Sequence, residues 1–206
     1  MQLFDRLDAV RSRWNVLEHP FYVRWSRGEL TPDELSFYAG EYRHAVIALA
    51  EAATAAAESC EQVRDHAEEE GAHVELWDGF AAAVGARETG DPLPETLECV
   101  EAWTAARDAL EGLVILYAVE AGQPAISRTK LEGLVEHYGV EQGPATEYFA
   151  LHAELDHEHA AHSRRLIEER LDGAHPDRLV AAAERALRGN WALLDGVERR
   201  FGSNFD

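Results

Sequence analysis

The segment that most limits what this chain can fold into is "LTPDELSFYAGEYRHAVIALAEAATAAAES", residues 30–59. It begins with the signals of a helix. Thr31 can cap the first turn, Pro32 stands at the first helical position, and Glu34 completes a capping box. Most of the residues that follow are good helix formers. We therefore predict one long helix that runs to about residue 58.

Helical periodicity continues through nearly the whole chain, and strand signals are almost absent because valine and isoleucine are scattered among helix formers. Further helices are predicted at about 2–17, 61–84, 94–107, 109–122, 125–138, 144–171 and 176–200, with the clearest loop at "ARETGDPLP", residues 86–94. The pattern predicts an all-α bundle of seven or eight helices. Since the 206 residues contain neither a repeat nor a linker, we expect one domain over residues 1–206.

Charge and composition exclude several classes of partner. The formal net charge of -20 argues against nucleic acid and against anionic membrane surfaces. The two cysteines, Cys60 and Cys99, have no metal or redox spacing and are interpreted as ordinary intracellular thiols. The first residues lack an apolar signal core, and no run approaches the roughly 20 apolar residues that span a bilayer. We expect a cytoplasmic protein.

The segment "HAELDHEHAAH", residues 152–162, is unusually rich in histidine. On a helix, Asp156 lies about 40° from His152 and His159 about 20° on the other side, so the three share one narrow face. His157 and His162 point elsewhere and need no functional account. The pattern favours a metal-binding face, with a polar surface stripe as the alternative.

Other helices offer partners for this face. In "HAEEEGAHVELWDGF", residues 66–80, Glu70 precedes His73 by three positions and Glu69 by four, so either carboxylate can reach the side of the ring. A Glu-x2-His pair on one helix is what four-helix carboxylate metal proteins use. His66 lies about 20° from His73 and is a spare candidate. Glu120 ends the most apolar segment, where a carboxylate is costly unless it is paired or bound to metal.

Three histidines and three carboxylates can hold two first-row metal ions with open positions. The predicted ligands are Glu70 or Glu69, His73, Glu120, His152, Asp156 and His159. Imidazole with carboxylate favours iron first and manganese second, and the set lacks the thiolates of structural zinc. Open positions on Fe(II) are where O₂ would bind as co-substrate.

These motifs resemble the haem-oxygenase-like di-metal oxidases, a superfamily that also contains the TenA thiaminases and the pyrroloquinoline-quinone synthases. The resemblance extends from "EHPFYVRWSRGEL" through "EEEGAHVELWDGF" to "HAELDHEHAAH". It implies a haem-oxygenase-like (TenA/PqqC-like) fold with the six ligands named above. It also implies an O₂-dependent oxidoreductase that uses a reductant. A homodimer is expected from the base rate for such proteins.

Within that superfamily the chain looks most like the CADD-like para-aminobenzoate synthases. "HPFY" puts Tyr22 where that group has a tyrosine that is consumed as the source of the aromatic ring, and Lys130 stands where the group has its proposed amino donor. The resemblance implies a self-sacrificing reaction in which a protein tyrosine is cut out and aminated. Two features depart from the group: the first glutamate and histidine are closer together, and Val119 replaces a tyrosine. The ordinary interpretations are a packed aromatic for Tyr22 and a solvated side chain for Lys130.

Other functions remain open at this point. The same centre could oxidise an external amine, amino acid or fatty acid. A TenA-like thiaminase or pyrimidine hydrolase would need a cysteine nucleophile in the helix near 110–122, where there is none. A ferritin-like protein could use Glu41 and His44, which are otherwise interpreted as groups that line the pocket. A non-enzymatic adaptor would not need six converging metal ligands.

Overall fold

The computed structural model describes residues 2–86 and 91–202, which form α-helices, short 3-10 turns and no strand. The α-helices are α1 (Leu3–Arg13), α2 (Pro20–Trp25), α3 (Pro32–Ser59), α4 (Arg64–Ala83), α5 (Pro94–Thr104), α6 (Ala109–Glu120), α7 (Gln123–Glu136), α8 (Glu147–Glu168) and α9 (Pro176–Phe201). The 3-10 turns lie at Val16–Glu18 and Glu61–Val63. Of the predicted loop at 86–94, residues 87–90 lie outside the described part of the chain. The all-α prediction is confirmed.

The expected number of helices was too low, because the described residues contain nine. The additional helix is α2, which has only six residues and is too short to display helical periodicity. Local chemistry forms it: Pro20 stands at its first position, and the ring of His19 caps it by accepting a hydrogen bond from the backbone N–H of Phe21 (3.1 Å). Proline needs no N–H partner at that position, and a cap satisfies one of the free donors.

The long helix α3 lies at the centre and packs against α4, α5, α6 and α9. It opens with the predicted capping box between Thr31 and Glu34. Helix α6 is buried throughout Glu111–Glu120 and packs against α3, α8 and α9. Helix α8 in turn packs against α4, α6 and α7. This arrangement brings the inner faces of α4, α6 and α8 together.

Helix α2 is attached to the bundle at both of its ends. At its start, the Nε2–H of His19 donates to Asp195 on α9 (3.1 Å). At its end, Arg24 forms ion pairs with Glu34 on α3 (2.7 Å) and Glu198 on α9 (3.1 Å). Because ion pairs to a nearly buried carboxylate are screened little by solvent, these contacts hold α2 in a fixed position.

One described segment, Ala109–Glu136, passes a test of length and apolar composition for crossing a membrane. No such run was expected from the sequence. The segment comprises α6 and α7, and 72% of its most apolar window is buried inside the bundle. A buried core helix passes the same test, and this segment is buried as a core helix is.

Candidate metal centre

Helix α4 supplies one face of the candidate centre. His66, Glu70 and His73 are spaced by four and three residues, so they lie on the same side of the helix, and all three are buried. Glu70 Oε1 lies 3.1 Å from His73 Nδ1 and 3.7 Å from His66 Nε2. Glu70 therefore stands between the two imidazoles.

Helix α8 supplies the opposite face with His152, Asp156 and His159. The Nδ1–H of His152 donates to the carbonyl of Tyr148 (2.6 Å), which leaves its Nε2 lone pair directed inward without a partner. The Nε2–H of His159 donates to Glu69 (2.9 Å), and its Nδ1 lies 3.6 Å from Asp156 Oδ1. A hydrogen bond to the second ring nitrogen is how proteins fix the tautomer of a metal-binding histidine.

Glu120, the last residue of α6, closes the site from the third side. Its Oε1 lies 2.9 Å from His66 Nε2, yet neither atom has the alignment of a hydrogen bond. Both carboxylate oxygens of Glu120 are buried and have no hydrogen-bond partner within residues 2–86 and 91–202. Such groups are rare in folded proteins and call for a counter-charge or a ligand.

The donor atoms form two overlapping sets that could each hold a metal ion. His66, Glu70 and His159 make one set, and Glu70, His73 and His152 make the other, with the donor atoms of each set within 4.8 Å of one another. The unpartnered atoms fit this arrangement, since they include both nitrogens of His66, both oxygens of Glu120 and Asp156, His152 Nε2 and His159 Nδ1. Three carboxylates and four imidazoles are a donor set for iron or manganese.

Electrostatics also favour a cation here. Burial raises the pKa of Glu120 to about 7 and that of Asp156 to about 6, and neighbouring carboxylates add to both effects. Burial would also lower the pKa of His66, but Glu120 and Glu70 outweigh it and raise that pKa to about 10. Burial lowers the pKa of His152 to about 4, which keeps its ring neutral and able to bind metal. Metal ions would replace the protons that crowded carboxylates otherwise retain.

Several candidates from the sequence lie elsewhere. Glu69 is exposed and sits outside the cluster, where it contacts the outer nitrogen of His159, whereas Glu70 is buried within it. Glu41 does not line the centre, because its carboxylate accepts hydrogen bonds from the Leu93 N–H and the Thr96 hydroxyl at the start of α5. His66, only a spare candidate in the sequence, lies inside the cluster. Its spacing of four residues from Glu70 puts both side chains on one helix face, and this spacing could have identified His66 from the sequence.

Lys130 and Tyr22 lie together in a buried aromatic cluster. Lys130 is 1% exposed, so it is not the solvated lysine of the ordinary interpretation. Its Nζ lies 4.4 to 5.6 Å from the ring centroids of Tyr22, Tyr38, Tyr42, Trp77 and Phe149. Tyr22 is also 1% exposed, and its hydroxyl is hydrogen-bonded to that of Tyr38 (2.8 Å). Burial raises the pKa of Tyr22, so the phenol keeps its proton.

Lys130 is the only lysine in the 206-residue chain, in which every other strong base is an arginine. Lysine is among the residues least often buried without a partner. Among the described residues Lys130 forms no ion pair, and the rings of five aromatic residues surround its Nζ. The uniqueness of this lysine was visible in the sequence.

Comparison with known proteins places the chain in a family. Residues 43–193 match a family described as iron-containing redox enzymes. The chain belongs to that family. Its members' description indicates an enzyme that uses iron in redox chemistry.

Relatives in several bacteria cover nearly the whole chain. A protein of Chlamydia trachomatis named 4-aminobenzoate synthase is 30% identical over 95% of this chain and 91% of its own length. A protein of Nitrosomonas europaea with the same name is 28% identical over 97% of this chain and 92% of its own length. These names apply to those proteins, and the identity is too low to transfer the activity by itself.

Solved structures share the fold. A TenA homologue from P. horikoshii superposes with a TM-score of 0.78 at 16% identity, covering 97% of this chain and 99% of that one. A CADD-like protein of unknown function from Nostoc punctiforme superposes with a TM-score of 0.73 at 17% identity, covering 96% of each. The haem-oxygenase-like fold expected from the sequence is confirmed. Helix α6 carries no cysteine, and Cys60 and Cys99 lie outside it.

Proposed function

We propose that this protein is an O₂-dependent di-metal oxidase that makes 4-aminobenzoate from its own Tyr22, with the nitrogen supplied by Lys130. One observation carries the proposal: the chain's only lysine is buried against the ring of Tyr22, with Nζ 5.4 Å from the ring centroid. Relatives named 4-aminobenzoate synthase support the product class. In this reaction the Cα–Cβ and ring C–O bonds of Tyr22 and the Cε–Nζ bond of Lys130 would break, and Nζ would bond to the ring carbon that loses its oxygen as water. O₂ would oxidise Cβ to the carboxylate, and an external reductant would supply the remaining electrons that reduce O₂ to water.

The surroundings of Lys130 prepare it to act as an amine. Burial lowers its pKa to about 7, so near neutral pH a large fraction carries the lone pair that a nitrogen donor needs. The aromatic rings around Nζ stabilise the ammonium form through their π faces, so part of the Lys130 population stays protonated. Trp25 holds the helix that carries this lysine, because its Nε1–H donates to the backbone carbonyl of Lys130 (3.2 Å).

Tyr22 is held in place and connected to the metal centre through other aromatic rings. Its helix is fixed by the His19–Asp195 and Arg24–Glu34 contacts, and its hydroxyl by Tyr38. Ring centroids 4.0 to 5.3 Å apart link the partner of Tyr22 to the cluster in the order Tyr38, Tyr42, Trp77, Tyr148 and His152. This series of contacts offers electrons a route from Tyr22 towards the site of O₂ reduction.

The histidines and carboxylates of α4, α6 and α8 would hold the metal ions. These ions would activate O₂, which is the oxidant. Iron is the expected metal, and manganese at one position is compatible with the same donors. The buried imidazole of His152 stays neutral, and the hydrogen bond to Tyr148 keeps its free nitrogen inward. The two proposed reactants and most of the proposed metal ligands are thus buried in the interior of one bundle.

The single lysine permits a decisive isotope test. Protein produced with lysine labelled with ¹⁵N at the side-chain nitrogen carries that label at Lys130 alone. After reaction with Fe(II), O₂ and reductant, 4-aminobenzoate should carry ¹⁵N, and the intact chain should lose mass at Tyr22. Unlabelled product would exclude Lys130 as the donor. O₂ uptake with an unchanged chain mass and an oxidised external compound would instead support an ordinary oxygenase.

A control variant uses a tyrosine outside the aromatic cluster around Lys130. Tyr117 lies on α6 and packs against Phe4. Tyr117→Phe should leave the yield of 4-aminobenzoate unchanged, whereas Tyr22→Phe should abolish it and keep the metal content. Equal yields from both variants would refute the assignment of Tyr22.

A further inference from the structure

We propose that His66 is a metal ligand and that the centre consists of two unlike pockets that share Glu70. The inner pocket is formed by Glu70, His73 and His152, and the outer pocket by His66, Glu120, Asp156 and His159. This inference rests on the metal dependence of the proposed function but not on its substrate. It assigns a seventh donor that the six-ligand expectation does not contain.

The contacts of His66 are those of a ligand rather than of a packed core histidine. Its Nε2 lies 2.9 Å from Glu120 and 3.7 Å from Glu70, and its ring stacks on that of His159 at 4.2 Å. Neither ring nitrogen has an aligned hydrogen-bond partner. A buried histidine that binds no ligand normally has a hydrogen-bond partner for its ring nitrogens, as His19 has in the Phe21 N–H and Asp195.

His66 also gives the outer pocket a donor set of its own. Without it, one imidazole, from His159, would face the carboxylates Glu120 and Asp156. With it, each pocket has two imidazoles, and Glu70 is within reach of both sets. Glu70 would therefore be available to both ions, as carboxylates are in di-metal proteins whose ligands come from facing helices.

The two pockets differ in their access to solvent. The inner donors Glu70, His73 and His152 are 1%, 4% and 1% exposed. In the outer pocket, the side chain of His159 is 12% exposed, and the carboxylate that holds it, Glu69, is 52% exposed. Because His159 is the one partly exposed donor among these residues, we expect an ion in the outer pocket to exchange faster than one in the inner pocket.

Metal stoichiometry under anaerobic conditions tests the assignment. Wild-type protein loaded with Fe(II) and desalted should hold two ions per chain, and the chelator ferrozine should remove them in a fast and a slow phase. His66→Ala should hold one ion per chain and lose the fast phase. The matched control is His157→Ala, which removes an exposed imidazole from α8 and should behave as the wild type does.

Three outcomes would overturn the proposal: two ions in His66→Ala with wild-type release, loss of both ions in a folded His66→Ala, or single-phase release from the wild type. His66→Gln, which keeps a polar side chain of similar size, guards against misfolding, and helix content is compared by circular dichroism. The wild-type release experiment needs no variant at all. Because O₂ is absent, a protein that makes no 4-aminobenzoate can still support or overturn this assignment.

Discussion

Replacing Lys130 with methionine should make the protein more stable at neutral pH, although it removes a functional group. Burial lowers the pKa of Lys130 from 10.5 to about 7. At about 1.4 kcal/mol for each pKa unit, holding the charged form inside the fold costs about 5 kcal/mol. A side chain of similar length without charge avoids this cost and should therefore gain up to about 5 kcal/mol.

The gain should depend on pH in a defined direction. Below about pH 7 the lysine is protonated in both the folded and the unfolded chain, so the cost is complete. Between about pH 7 and 10.5 the unfolded chain binds more protons than the folded one, and wild-type stability rises with pH. The advantage of Lys130→Met should therefore be largest near pH 6 and 7 and should nearly vanish by about pH 10.5.

Urea unfolding of both proteins at about pH 6, 8 and 10 measures this difference. Arg128→Met is the matched control, because it removes an exposed cation from the same helix and should change stability little at any pH. A Lys130→Met protein that is less stable than the wild type at every pH would refute the reasoning. So would an advantage that stays constant across the range, because the ionisation of Lys130 would then not be its source.

Three further predictions concern packing, the phenol pair and the outer pocket. Gly133→Ala would put a methyl group 2.6 Å from the ring of Trp25, and thermal unfolding should reveal a loss of about 1–3 kcal/mol. Tyr38→Phe removes the hydrogen-bond partner of the Tyr22 hydroxyl, so 4-aminobenzoate formation should slow while metal content stays at the wild-type value; an unchanged rate would contradict this. Glu69→Ala should weaken binding of the outer ion about 10–100-fold in an Fe(II) titration and leave the inner ion in place.

Most of the fold could be predicted because its helices are long and carry their own end signals. The capping box of Thr31 and Glu34 and the apolar run of α6 are examples in which local chemistry and burial agree. Helix α2 escaped prediction because six residues give too little periodicity, and its cap is a histidine ring rather than one of the usual polar residues. Pro20 was a sequence signal for the start of α2, because proline favours the first position of a helix.

The candidate site could be predicted where spacing alone fixes a common face, as for His152, Asp156 and His159. Spacing could not decide between Glu69 and Glu70, because both lie within reach of the face that carries His73. That choice depends on the rotation of α4 about its axis. Tertiary packing sets this rotation, since Trp77 is fully buried and its indole N–H donates to the carbonyl of Ala39 on α3 (2.8 Å).

The close packing around Tyr22 has a consequence for the chain if Tyr22 is consumed as proposed. The ring lies in edge and tilted contact with Phe21, Trp25 and Tyr38, and almost none of it reaches solvent. Excising it would leave an aromatic-sized void, and losses of that size typically cost about 3–5 kcal/mol. Since domains are commonly stable by only about 5–15 kcal/mol, a spent chain would unfold far more often than a fresh one. Cellular proteases would then remove the used copies selectively, so the product made would be matched by protein turned over.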